Sequence, residues 1–83
     1  MIYGMYSVKD LKTGYLPVTT DMNDLSAMRN FEHACMNTDS LFFTHASDYQ
    51  LFKVGTFDTE TGEITIENTF LMDAPVEKKR GKK

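Results

Sequence analysis

Hydrophobic and polar positions change rhythm several times along the chain, and each rhythm predicts an element. Residues 2–8, IYGMYSV, are rich in β-branched and aromatic side chains and predict a first strand. Alternation puts Ile2, Gly4, Tyr6 and Val8 on one face and Tyr3, Met5 and Ser7 on the other. Both faces are partly apolar, which favours a central or partly covered strand. Residues 9–14, KDLKTG, read as a turn, and residues 15–19 as a short extended piece. Pro17 cannot donate to a ladder, so that piece is an edge strand or no strand.

The period then lengthens. Thr20, Asp21, Asn23 and Asp24 offer helix N-caps, and the acids suit the positive end of a helix dipole. Leu25, Met28, Phe31 and Cys35 recur at three- and four-residue steps, Ala27 and Ala34 widen that face, and Leu41 is a candidate to extend it. The pattern predicts an amphipathic helix of roughly four turns. Arg29, Asn30, Glu32 and His33 fall on its flanks and outer side, and Asn37 is a C-cap candidate.

Residues 38–47, TDSLFFTHAS, leave two readings open: a short strand at Leu41, Phe42 and Phe43, or a loop whose aromatics plug the helix against the sheet. Residues 49–57 form the longest β-prone run. The polar cluster Asp58-Thr59-Glu60-Thr61-Gly62 and a second run, 63–67, follow it. Two such runs joined by a short segment containing Gly predict a β-hairpin, with Gly62 supplying the positive φ of the turn. The second strand extends towards Met72 or packs across an edge, and Pro75 ends regular structure.

The expected architecture is α+β: a small antiparallel sheet of three to four strands, one amphipathic helix on one face, and a C-terminal hairpin. One domain spans 1–73, and a flexible basic tail spans 74–83, which offers almost nothing to bury. One helix covers one face. The other is left with some of Tyr3, Met5, Tyr49, Leu51, Phe52 and Phe57, and leftover apolar area on so small a sheet predicts a homodimer.

Charge adds one feature. The 83 residues carry a net charge of −3, but residues 1–76 hold four basic and eleven acidic side chains, a balance of −7. Residues 77–83, EKKRGKK, stand at +4. Lys78, Lys79, Arg80, Lys82 and Lys83 can each neutralise a phosphate, aided from the body by Arg29 and Lys53. The same cluster suits a solubilising terminus or an acidic protein partner. Aromatics on a sheet face, Tyr3, Tyr6, Tyr49 and Phe52, are candidates to stack on unpaired bases, although core and dimer roles compete for them.

Other chemistry finds little support. His33, Cys35 and His45 are the only soft metal ligands, and a His-x-Cys pair on one helix points to different sides. Cys35 lies on the apolar stripe, where cysteine acts as a small hydrophobe. The acids cluster at turns and caps, and the five glycines are too scattered for a phosphate loop. No enzyme, cofactor or metal site is expected. The single cysteine, a start without a basic region before a long apolar run, and the lack of a 20-residue apolar stretch predict a soluble, unexported protein with no membrane contact.

At the hairpin the residues also become recognisable. Asp48-Tyr49-x-Leu51-Phe52-x-Val54-Gly55-x-Phe57-Asp58-x-x-Thr61-Gly62-Glu63 resembles the small non-structural protein of gokushoviruses, microvirus-family phages with single-stranded DNA. Tyr6-Ser7-Val8-x-Asp10 and Ala27-x-Arg29-x-Phe31 fit the same family, so the resemblance covers roughly residues 3–66. The chain departs from it at residues 41–46. The resemblance implies a phage protein in the host bacterial cytoplasm, acting in viral DNA replication or in the switch to single-strand synthesis and packaging. It supplies no binding residues, since Arg29 is the one basic motif position. The joint expectation is a non-enzymatic protein that binds single-stranded DNA. The rival is a module engaging a host or viral protein through its acidic body or sheet face.

Overall fold

The computed structural model describes residues 1–76. Its elements in order are β1 (Ile2–Asp10), β2 (Gly14–Tyr15), β3 (Thr19–Asp21), α1 (Asp24–Ala34), α2 (Leu41–Thr44), a 3-10 turn (Ala46–Asp48), β4 (Tyr49–Asp58) and β5 (Ile64–Asp73). The strands form one antiparallel sheet in the order β2-β1-β4-β5, and β3 pairs with the same edge of β1 as β2 does. This is the expected α+β arrangement with one strand more. The chain around Pro17 yields two short edge strands, because the ladder breaks where proline has no N–H to give.

Each strand ends for a local reason. After β1, Asp10 accepts from the Lys12 and Thr13 amides, and Gly14 turns the chain at φ 113°. In the β4–β5 hairpin, Gly62 takes φ 78°, its amide donates to the Asp58 carbonyl, and the Asp58 carboxylate accepts from the Glu60 amide. β5 runs the full length of β4, as the longer of the two sequence readings had it. Two irregularities in its pairing, next to Phe52 and next to Gly55, keep the faces in phase along that length.

α1 starts at Asn23, whose side chain accepts from the Ser26 amide at 2.8 Å. It ends two residues short of the Asn37 cap: Cys35 is the C-cap, and Asn37 instead accepts from the Asp39 amide and from the Ser40 amide. The buried stripe is Ala27, Phe31 and Cys35, flanked by Met28. Leu25 does not belong to it and is 77% exposed. At 100° per residue Leu25 lies about 120° from Phe31, while Asp24 lies almost in line with it. The sheet-facing place in the first turn therefore goes to a carboxylate.

Residues 41–44 form a single helical turn, so the plug reading holds and the strand reading does not. Ser40 caps the turn, accepting from the Phe42 amide at 3.0 Å. Phe42 sits edge-on between Phe31 of the helix (5.7 Å) and Tyr49 of the sheet (4.8 Å). Tyr6, Leu51, Cys35, Ala46 and Ala74 complete the core around it. Ala74 is buried and donates its amide to the Tyr49 carbonyl, and Val76 packs on the same cluster. The packed body thus extends past residue 73, and Ala74 and Val76 contribute to the core from a stretch expected to offer almost nothing to bury.

Candidate functional site

Two surfaces collect side chains beyond what the core needs. The first is the junction of α1 with the covered face of the sheet. Register places Tyr6 opposite Lys53, both pointing at the helix. The Tyr6 hydroxyl donates to Asp24 Oδ1 at 2.7 Å, and Lys53 Nζ lies 3.2 Å from the same oxygen. The Tyr6 hydrogen bond, then Lys53, hold Asp24 below the usual carboxylate range, against the opposing effect of its partial burial. Burial, then the Asp24 hydrogen bond, push the Tyr6 phenol above its ordinary range. The cluster is charge-balanced and internally satisfied, so it reads as a fastener and not as a reactive group.

The second surface is the face of the sheet away from the helix. Pairing fixes its rows. Tyr3, Phe57 and Ile64 share one row across β1, β4 and β5, and Met5, Gly55 and Ile66 share the next. Ser7, Phe52 and Phe70 form a third. Tyr15, Lys9, Gln50 and Asp73 form a fourth across β2, β1, β4 and β5. Among the described residues no helix covers this face, although the chain at Leu16 shields Ser7, whose hydroxyl donates to the Leu16 carbonyl; Ile66 is 81% exposed, Ile64 52%, Phe70 49% and Tyr15 48%. The aromatics contact one another edge-on, Tyr15 to Phe52 and Phe52 to Phe70, each at 5.7 Å. The Lys9 ammonium lies 5.5 Å from the Tyr15 ring centre and 5.8 Å from that of Phe52, within cation–π reach of both.

Of the candidate face residues named by alternation, Tyr3, Met5, Phe52 and Phe57 lie here. Tyr49 and Leu51 do not: they are buried beneath the helix. Tyr6 and Tyr49 are thereby removed as base platforms, since a base needs an exposed ring. Tyr15, Ile64, Ile66, Phe70 and Lys9 were not evident beforehand. The parity of Lys9 with Tyr3 and Met5 is visible in the sequence, but the local pattern reads Lys9 as turn and leaves the length of the last strand open.

Of the candidate phosphate contacts, the two among the described residues, Arg29 and Lys53, lie on different sides of the helix layer. Arg29 is exposed on the outer side of α1. Lys53 has Asp24 as its partner on the covered face. Lys78, Lys79, Arg80, Lys82 and Lys83 lie outside the described residues. Cys35 is 2% exposed, and burial, then Glu32, push its thiol up to about 11, which leaves little thiolate at neutral pH. Among the described residues no group of three or more His, Cys, Asp or Glu is placed to hold a metal ion. No helix among them is long and apolar enough to cross a membrane.

One protein-family model, described as Phage ORF5 protein, matches residues 3–75. No curated protein and no solved structure matches the chain.

Proposed function

This chain belongs to the Phage ORF5 protein family, and from that premise we propose that it is a non-enzymatic protein of a gokushovirus-like phage that binds single-stranded viral DNA during genome synthesis or packaging. The observation that carries the reading is the separation of charge. Five of the nine basic residues sit in the last seven positions, behind a body at −7. Lys78, Lys79, Arg80, Lys82 and Lys83 contact phosphates, and Arg29 adds a contact from the exposed side of α1. Lys53 stays with Asp24 and serves the fold. The acidic body turns away from the strand, which leaves binding largely independent of base sequence. The protein acts in the host bacterial cytoplasm and needs no cofactor.

Titration of fluorescent single-stranded DNA at several salt concentrations tests this, with the full chain and a form ending at Val76. The five tail contacts contribute up to about −3.5 to the slope of log affinity on log salt. The truncated form is expected to lose most of the affinity and most of that slope. Equal binding by the two forms, or no salt-sensitive binding by the full chain, rejects the tail as the contact.

The uncovered apolar face favours a second reading, in which the chain engages a host or viral protein. Pull-down from infected cells with nuclease treatment separates them: a partner that survives nuclease supports the protein module, and one released by nuclease supports DNA.

A further inference from the structure

We propose that the open sheet face is the interface of a homodimer, in which β4 of each copy packs across β4 of the other and Lys9 of each meets Asp73 of its mate. This does not rest on the DNA reading.

The choice of occupant comes from charge. Bodies at −7 repel one another, so two copies meet most readily where acids are few and matched by a cation. The rows Tyr3–Phe57–Ile64, Met5–Gly55–Ile66 and Ser7–Phe52–Phe70 carry no ionisable side chain other than the Tyr3 phenol. The fourth row holds one cation and one anion, Lys9 on β1 and Asp73 on β5. They are one strand to either side of Gln50 on β4. Neither has an ion-pair partner among the described residues: Lys9 lies over Tyr15 and Phe52, and Asp73 accepts from Gln50 at 3.1 Å.

That spacing is self-complementary. A two-fold axis lying between the sheets and running along β4 keeps each row over itself and exchanges β1 with β5. Phe52 then faces Phe52, and both Lys9–Asp73 pairs form across the interface. The strands of the two sheets run the same way, which agrees with the aligned class of sheet packing. An axis across the strands would instead send the charged row onto Tyr3, Phe57 and Ile64, and bury two unpaired charges.

Size is adequate. Three strands about 4.8 Å apart and ten residues long project to roughly 500 Å². Side-chain relief and Tyr15 bring the accessible area towards the roughly 800 Å² per partner of a standard interface. In this geometry both chains leave the described structure, at Val76, from the same end of the sandwich.

The test is sedimentation of the full chain from about 1 to about 200 µM, spanning ordinary homodimer affinities. Lys9→Glu, Asp73→Lys and the double variant are compared with the parent, and circular dichroism checks that each is folded. The expected result is a dimer that each single reversal weakens at least about tenfold and that the double variant restores to within about threefold. A monomer across the whole range overturns the proposal. So does a dimer indifferent to both reversals, or one that the double variant fails to recover. A monomer in which Phe70→Ala weakens binding of single-stranded DNA assigns the face to bases instead.

Discussion

The Tyr6 hydroxyl donates to Asp24 Oδ1 at 2.7 Å, which fastens the first turn of α1 to the middle of β1. Lys53 completes the fastening from β4. A helix that covers a sheet along a short stripe of Ala27, Phe31 and Cys35 has few contacts to fix its rotation. A directional bond at one end supplies that.

Removing the hydroxyl tests the fastener. Tyr6→Phe is expected to destabilise the fold by about 1–2 kcal/mol in urea denaturation, the usual value for a hydrogen bond to a charged group reduced by solvent at the half-exposed Asp24. Asp24→Ala removes the same contact from the other side. The double variant should therefore cost clearly less than the two singles together. Full additivity would show that the two side chains do not act on one another.

Stability should fall at both ends of the pH scale through this pair. The folded protein holds Asp24 more acidic than the unfolded chain does. Its contribution is complete above the ordinary carboxylate range, shrinks below about pH 4, and vanishes as pH falls through the lowered folded value. Tyr6 is raised, so its contribution is complete below about pH 10 and is lost as pH climbs towards the folded value. Melting curves of the parent and of Tyr6→Phe should converge at both extremes and differ most between them.

Two glycines differ in what a methyl group would meet. At Gly4 it would overlap the Tyr6 ring and hydroxyl, and at Gly55 the backbone carbonyl of Thr65. A side chain can give way more easily than a paired strand. Gly4→Ala is expected to cost about 1–3 kcal/mol and Gly55→Ala more, with β4 and β5 forced apart. The reverse order in chemical denaturation would mean that the hairpin is the softer of the two.

Leu25 separates orientation from pattern. Successive three-residue steps link Leu25 to Met28 and Met28 to Phe31, yet Leu25 is exposed and Phe31 is buried. Leu25→Gln should change stability by less than about 0.5 kcal/mol, as at most surface positions. Phe31→Ala should cost about 3–5 kcal/mol. Comparable losses from both would place Leu25 in the core.

Much of this fold was legible in the sequence, because alternation and turn residues are local signals. β1 with its two faces, the hairpin pivoting on Gly62, and the start of α1 near Asn23 all follow from neighbours in sequence. What escaped depends on partners distant in the chain. Tyr49 and Leu51 lie on the helix side because Asp10 and Val8 pair with them, and no local pattern reports that register. Asp24 takes an inward place because a hydroxyl and an ammonium from two other strands await it. The length of β5 depends on the whole of β4 as template, so Phe70 and Asp73 joined the open face only once the pairing was known. Residues 41–44 became a helical turn because Ser40 caps them and Phe42 has a gap between two rings to fill.

The burial of Cys35 gives the molecule a built-in stopwatch. With one thiol per chain, 2% exposed and with its pKa pushed up, a thiol reagent can react only after the C-terminal end of α1 has opened. The labelling rate therefore reads the population of that open form when reclosing is fast, and the rate of opening when it is slow, with no engineered cysteine. Any ligand, salt or second copy that clamps the helix down will announce itself as a slower reaction at this sulfur.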